Sequence, residues 1–274
     1  MTEFRPGRFE ILPIVIKNLL IINVLFFLAQ KTVGAGGMFN MLDLMALHHV
    51  NSPLFQPWQL VTHMFLHGDF WHLFGNMFAL WMFGAILENV WGPKRFLTFY
   101  FLCGIGAALI HLTFLWYDYN GLLNDFLALK LSPSPDKIGA FYNNYGLSQS
   151  PAADLLVKNY LADPTNTRNV EQVVNYISDV TYAVVSSPTL GASGAVFGVL
   201  AAFVYLFPNT YIYLYFFIPV KAKWMGLAYF GIELFSAVQN SAGDNVARWA
   251  HIGGGIVGFL LVITWNKKNR RNFY

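Results

Sequence analysis

Gly191-Ala192-Ser193-Gly194-Ala195-Val196-Phe197-Gly198, running on into Val-Leu-Ala-Ala-Phe-Val-Tyr-Leu-Phe, sets one small hydroxyl residue at the mouth of an apolar helix with glycines on either side. A serine in that place adds little to stability. Gly194 and Gly198 lie four apart and share one helix face, which lets a neighbouring backbone approach closely. Taken alone, the pattern suits a small-residue packing face and a functional serine equally. A second stretch repeats the design: in Trp249-Ala250-His251-Ile252-Gly253-Gly254-Gly255-Ile256-Val257-Gly258, a histidine enters an apolar segment that has glycines four apart at 254 and 258. Two glycine-faced helices, one opening on Ser193 and the other on His251, can bring a nucleophile and a base together.

The rest of the composition says where these helices live. Of 274 residues, 56% are hydrophobic, 18% aromatic and only 11% charged, against about a quarter charged in soluble domains. The chain reads as an all-α membrane protein. Apolar runs at about 12–30, 71–90, 96–117, 192–207, 224–238 and 249–265 give six expected spans, of lengths judged against the roughly twenty residues a free-standing span needs. The run at 192–207 falls short of that length and must lie inside the bundle. No small-residue cleavage site follows the first run, which is expected as a retained span and not a signal peptide. The stretch 31–70, with Gly34-Ala-Gly-Gly, Pro53 and Pro57, reads as an interfacial loop with short helices. The single Cys103 lies in an apolar segment and excludes an intramolecular disulfide.

One segment looks soluble. From 118 to 183 acidic residues outnumber basic ones, and two or three short helices are expected, one of them capped by Ser150 with Pro151 at its first position. No phosphate loop, zinc spacing or basic stripe occurs in it, so no nucleic-acid partner is expected. The whole is read as one membrane domain, 1–274, carrying this insertion between the third and fourth spans. Basic residues collect at Arg5, Arg8 and Lys17, at Lys94-Arg95, at Lys221 and Lys223, and near the C-terminus, all on one side under the six-span count. By the positive-inside rule that side is cytoplasmic, with both termini, and the insertion is extra-cytoplasmic. The expected setting is a bacterial inner (plasma) membrane.

The outer ends of three spans then carry polar residues at similar depth: His72 and Asn76, Ser193, and His251. Intramembrane polar residues are expensive, and a convergent set of them points to chemistry. His72 and Asn76, four apart, share a face and both donate hydrogen bonds. The set suits acyl transfer, with Ser193 attacking a carbonyl and His251 taking its proton and returning it to the leaving amine. Ser193 at a helix N-terminus, with its free N–H groups, and the His72 and Asn76 side chains can hold an oxyanion. No carboxylate is spaced to orient His251, since Asp244 lies in the preceding loop, so a Ser-His dyad is expected. Glu88 and Glu233 read as hydrogen-bonders that tie helices together, and Gly84 and Gly104 as packing positions.

Other chemistries lack their patterns. No H-E-x-x-H occurs, and Ser241-Ala-Gly-Asp244 misses the first glycine of a Gly-x-Gly-Asp aspartyl site. His48, His49, His63, His67 and His72 have no cysteine or clustered carboxylate beside them, so neither a metal nor a cofactor is expected.

On His72-x-x-x-Asn76, Gly191-Ala-Ser193-Gly194 and Ala250-His251-x-x-Gly254-x-x-x-Gly258, in that order on spans two, four and six, the chain resembles the rhomboid intramembrane serine proteases. The similarity runs from about residue 11 to 265, the insertion apart. It implies Ser193 as nucleophile, His251 as base, and an oxyanion hole from His72, Asn76 and the Ser193 backbone N–H. It also implies transmembrane protein substrates that enter from the lipid bilayer through a lateral gate near span five and the loop before span six. Two departures stand out. Trp58-Gln59 stands where relatives often carry Trp-Arg, so any role of that arginine in ordering the loop is expected to be absent. Phe197 stands where a tyrosine is common; it can stack on the His251 ring but cannot donate a hydrogen bond. The alternatives are a catalytically silent rhomboid-like binder or chaperone and a small transporter. The first would usually have lost Ser193 or His251, and the second predicts internal repeats that the sequence does not display. No pattern fixes an oligomeric state.

Overall fold

Helix α1 (Ile14–Thr32) starts on a carboxylate from elsewhere in the chain: Glu88 accepts hydrogen bonds from the Val15 and Ile16 backbone N–H groups, both at 2.9 Å. Those are N–H groups that a helix start leaves without partners, so Glu88 acts as a distant N-cap, as its reading as a helix tie anticipates. The structure, a computed structural model, describes residues 9–32, 40–147, 150–214, 217–239 and 247–269. The basic termini and the loop at 240–246, including Asp244, lie outside the described residues. The chain divides into two compact units: residues 1–47, 56–111 and 188–274, and residues 48–55 and 112–187.

In the first unit, α1 is followed by short helices α2 (Met41–Met45) and α3 (Gln59–Thr62) and a 3-10 turn at His63–Phe65, matching the irregular loop read from the sequence. Span two is continuous from α4 (Phe70–Ala79) through a π-helical turn (Leu80–Gly84) into α5 (Ala85–Trp91). A side chain at Gly84 would meet Ile16 at 2.7 Å, so glycine there lets α1 close against this span. Helix α6 (Pro93–Leu131) follows, and its first portion belongs to this unit. Then come α10 (Ser193–Leu206), strands β1 (Tyr211–Leu214) and β2 (Ile218–Lys221), α11 (Ala222–Gln239) and α12 (Arg248–Asn269). The core runs through Leu80, Phe83, Phe96, Phe99, Tyr100, Cys103, Val199 and Phe203.

Among the described residues, four helical stretches are long and apolar enough to cross a membrane: Ile14–Thr32, Phe70–Trp91, Pro93–Leu131 and Arg248–Asn266. Helix α10 is a 14-residue apolar helix whose residues from Gly194 to Phe203 are all buried. Its shortness is tolerable because protein, not lipid, surrounds it.

One expectation is corrected and two are extended. The helix of the third span does not end at residue 117, because α6 continues unbroken for 39 residues, about 58 Å at 1.5 Å per residue. Its far end buries Leu122, Phe126 and Leu129, so those turns have a core to join. The fold is mostly helical but not wholly so: β1 and β2 pair antiparallel with Tyr211 opposite Lys221 and Ile212 opposite Val220. Aromatic and β-branched residues there suit a strand pair better than a helix. The second compact unit takes in the soluble-looking segment 118–183 together with its flanks, 112–187, and residues 48–55.

That second unit holds the end of α6 with α7 (Pro135–Asn144), α8 (Pro151–Ala162) and α9 (Thr167–Val185). Each of the last three opens on a polar cap, Ser134, Ser150 or Asn166, whose side chain accepts from a backbone N–H in the first turn. Leu129, Ile138, Phe141, Tyr160, Val173 and Ile177 form its own apolar core. Tyr145 Oη donates to Asp125 at 2.7 Å, and burial followed by that carboxylate pushes the phenol up to about 12.

Candidate active site

The site is built on the contact between α10 and α12. A side chain at Gly254 would overlap the Gly194 carbonyl, and one at Gly258 would come within 2.6 Å of the Gly198 Cα. Only glycines permit this approach, in which the two backbones touch without side chains between them. The glycine faces read from the sequence therefore do pack on each other. Their consequence is to fix the first residues of both helices at a set separation.

At that end, Ser193 Oγ lies 2.8 Å from His251 Nε2. One turn on from Ser193, Phe197 stacks on the imidazole with ring centroids 4.4 Å apart and planes 11° apart. The ring is thus held flat against one surface while Nε2 faces the hydroxyl. Phe197 performs the stacking expected of it.

The segment before Ser193 is tied on several sides. Gly191 has φ +124°, a conformation that favours glycine, and its N–H donates to the His63 carbonyl at 2.9 Å. Thr189 exchanges two 2.8 Å backbone hydrogen bonds with Leu47, and its hydroxyl lies 2.9 Å from His111 Nε2. His63 itself is buried; burial lowers its pKa to about 4, so the ring is neutral and Nδ1–H donates to the Gln59 carbonyl at 2.7 Å. These ties hold Ala192 and Ser193 at the start of α10, where the helix's first N–H groups are free.

His72 and Asn76 stand on α4 beside this start. A side chain at Gly191 would meet His72 Nε2 at 2.8 Å and Ser193 Oγ at 3.5 Å, so both atoms border the same small volume. The Gly68 N–H donates to His72 Nδ1 at 3.4 Å, which leaves the ring hydrogen on Nε2, the nitrogen nearer Ser193. Asn76 is buried and donates one amide hydrogen to the His72 carbonyl at 3.0 Å, keeping a second in hand. Ser193, His251 and His72 therefore border one another, and Asn76 stands one turn along α4 from His72.

Two residues were misjudged from sequence. Glu233 on α11 does more than tie helices: its Oε2 lies 3.2 Å from His251 Nδ1 and 3.3 Å from the Arg248 guanidinium. The expectation that no carboxylate faces His251 is corrected, because the partner comes from a different helix and not from the preceding loop. Gln59 also orders its loop, where only the absence of an arginine's role was expected. It is fully buried, donates to the Asp43 carbonyl at 3.2 Å and accepts from the Gln56 N–H at 3.1 Å, while Trp58 Nε1 donates to Leu44 at 2.9 Å. Among the described residues no three His, Cys, Asp or Glu side chains converge as a metal site would require.

Comparison with known proteins gives the family. A family model described as Rhomboid domain matches residues 54–128 and 166–268. RHOMBOID-like protein 12, mitochondrial, of Arabidopsis thaliana is 26% identical over 214 residues, 78% of this chain and 47% of its own length. Rhomboid protein 1, mitochondrial, of Saccharomyces cerevisiae is 27% identical over 207 residues, 73% of this chain and 40% of its own. A shorter match, 36% over 64 residues, is to Rhomboid protease GluP of Bacillus subtilis, 23% of this chain and 13% of that protein. The chain spans about half the length, or less, of the curated relatives that it matches over most of itself. Both of those are mitochondrial proteins, which overturns the expectation of a bacterial plasma membrane with cytoplasmic termini. Charge asymmetry separates the two sides of a membrane but does not say which membrane it is.

Proposed function

The chain belongs to the rhomboid family, and from that premise we propose that it is an intramembrane serine endopeptidase cleaving transmembrane segments of other proteins in a mitochondrial membrane. The observation that carries this reading is the 2.8 Å approach of Ser193 Oγ to His251 Nε2. Helices α10 and α11 join the four long helical stretches as the remaining members of a six-span bundle.

Ser193 Oγ attacks the carbonyl carbon of the scissile peptide while its proton passes to His251 Nε2. The carbonyl oxygen becomes an oxyanion, received by the Ser193 backbone N–H, His72 Nε2–H and the spare amide hydrogen of Asn76. As the C–N bond breaks, His251 gives the proton to the leaving nitrogen, and the acyl group stays on Ser193. Water then attacks that ester with His251 again taking the proton, and the serine is regenerated. A catalytically silent binder would need neither the short Ser193–His251 contact nor the stacked ring.

The test uses purified protein in detergent with a labelled transmembrane peptide and a fluorophosphonate probe. Ser193→Ala and His251→Ala should each abolish cleavage, and the double variant should cost little more, because residues that act as a unit are not additive. The probe should label Ser193. Turnover retained in Ser193→Ala would overturn this function.

A further inference from the structure

We propose that Glu233 is a positioning residue for His251, so that the expected dyad works in this chain with a carboxylate behind its base. The inference rests on the protease reading above. Glu233 is 5% exposed and sits in the middle of α11, whose other residues from Trp224 to Val238 are apolar or small. A carboxylate so placed is costly unless paired, and its two partners both come from the start of α12. Arg248 and His251 are three residues apart on that helix, so both turn toward α11, and a single oxygen, Oε2, lies within 3.3 Å of each.

The side of the ring matters. Ser193 occupies Nε2, and for Nε2 to accept a proton the ring hydrogen must be on Nδ1, the nitrogen that faces Glu233. The carboxylate selects that tautomer and then lies beside the positive ring formed when Ser193 loses its proton. Nδ1 has no in-line hydrogen-bond partner, since Oε2 stands off the axis of its N–H. A small rotation of either side chain aligns them, and catalytic hydrogen bonds commonly tighten only once substrate is bound. Arg248 shares the same oxygen, its guanidinium 3.3 Å away. The other charged or titratable groups around this pair are His72 on α4, His111 on α6, and Tyr229, one turn before Glu233 on α11.

A purely structural role for Glu233, tying α11 to α12 through Arg248, makes different predictions. The experiment measures fluorophosphonate labelling of Ser193 and hydrolysis of a short soluble peptide by the full chain in detergent, beside thermal stability. Wild type must label and Ser193→Ala must not; if wild type fails to label, the protease reading itself falls. Given labelling, Glu233→Gln should label ten- to a hundredfold more slowly and lower kcat with KM unchanged, while Arg248→Gln should stay within threefold of wild type. Equal losses in the two variants would assign Glu233 to the helix tie and overturn the proposal. So would wild-type labelling in Glu233→Gln. If Glu233→Gln does not fold, Arg248→Gln still decides: with the guanidinium gone the carboxylate's charge falls on His251 alone, and the acid limb of the pH–rate profile should move to higher pH. An unmoved limb would overturn the proposal.

Discussion

Gly254 rests on the carbonyl of Gly194 with no room for a side chain between them. This contact, more than any hydrogen bond, sets the distance between the helices that carry Ser193 and His251. Gly254→Ala should push α10 and α12 apart at the level of the site, with a stability loss of about 3 kcal/mol, the upper end for overpacking, and a larger loss of activity. Gly231→Ala on α11 supplies the control, because nothing lies within 4 Å of the added carbon. Its melting temperature should hold or rise slightly, as expected for alanine replacing glycine in a helix. Unchanged labelling of Ser193 in Gly254→Ala would show that the helices are not held by this contact.

The pairing of His72 Nε2 with the space beside Gly191 and Ser193 leads to a second expectation. Alanine at His72 or Asn76 should lower turnover by roughly ten- to a thousandfold, the usual cost of one lost oxyanion donor. Asn76→Ala also removes the 3.0 Å bond to the His72 carbonyl, so a modest fall in melting temperature accompanies it. If melting temperature alone changes, Asn76 is a structural residue.

What could be read from the sequence divides along a physical line. Ser193, His251, His72 and Asn76 were legible because each sits at a fixed offset within one helix or beside glycines that announce close packing. Glu233 was not, since its contact with His251 joins two helices across the loop at 240–246 and no periodicity encodes it. The signal available was a carboxylate in an apolar helix followed by an arginine at the opening of the next. The length of α6 was misread because Asp118, Asn120 and Gly121 look like a loop, yet no proline interrupts the helix before Ser132-Pro133-Ser134-Pro135. Gln59 was read only as the absence of an arginine, although its amide both donates and accepts, and ordering the loop uses both.

The six-span proposal can be tested across α6 alone. Lys94 lies in its first turn and Lys158 on α8, both exposed, with one apolar crossing between them. In a Cys103→Ser background, Lys94→Cys and Lys158→Cys should react with a membrane-impermeant thiol reagent from opposite faces of sealed membranes. Labelling of both from one face would remove α6 as a span. Cys103 is fully buried in the core, so replacing it by serine should cost some stability but leave the labelling pattern readable.

On the protease reading, substrate reaches Ser193 from the lipid, and the structure narrows which aromatic side chains can stand in its way. The sequence offered Trp224, Tyr229, Phe230 and Phe235 on span five together. Phe230 faces inward and Tyr229, though 45% exposed, reaches the same ring: Tyr229 stacks on Phe197 at 5.0 Å, Phe230 meets it edge-on at 5.4 Å, and a side chain at Gly255 would collide with the Phe230 ring. Trp224 and Phe235 face outward, 58% and 64% exposed. The neighbouring loop at 240–246, the other expected part of the gate, lies outside the described residues. Helices α10 and α12 are locked by glycine contact, so α11 is the element free to shift, and Phe230 is the plug that joins it to the ring stacked on His251. Phe230→Ala should therefore speed cleavage of a transmembrane substrate by several-fold relative to a short soluble peptide, which needs no gate. Phe235→Ala should change neither. A crosslink between α11 and α4 should block the transmembrane substrate while sparing the peptide; if the crosslinked protein cleaves both at the uncrosslinked rate, substrate does not enter past α11.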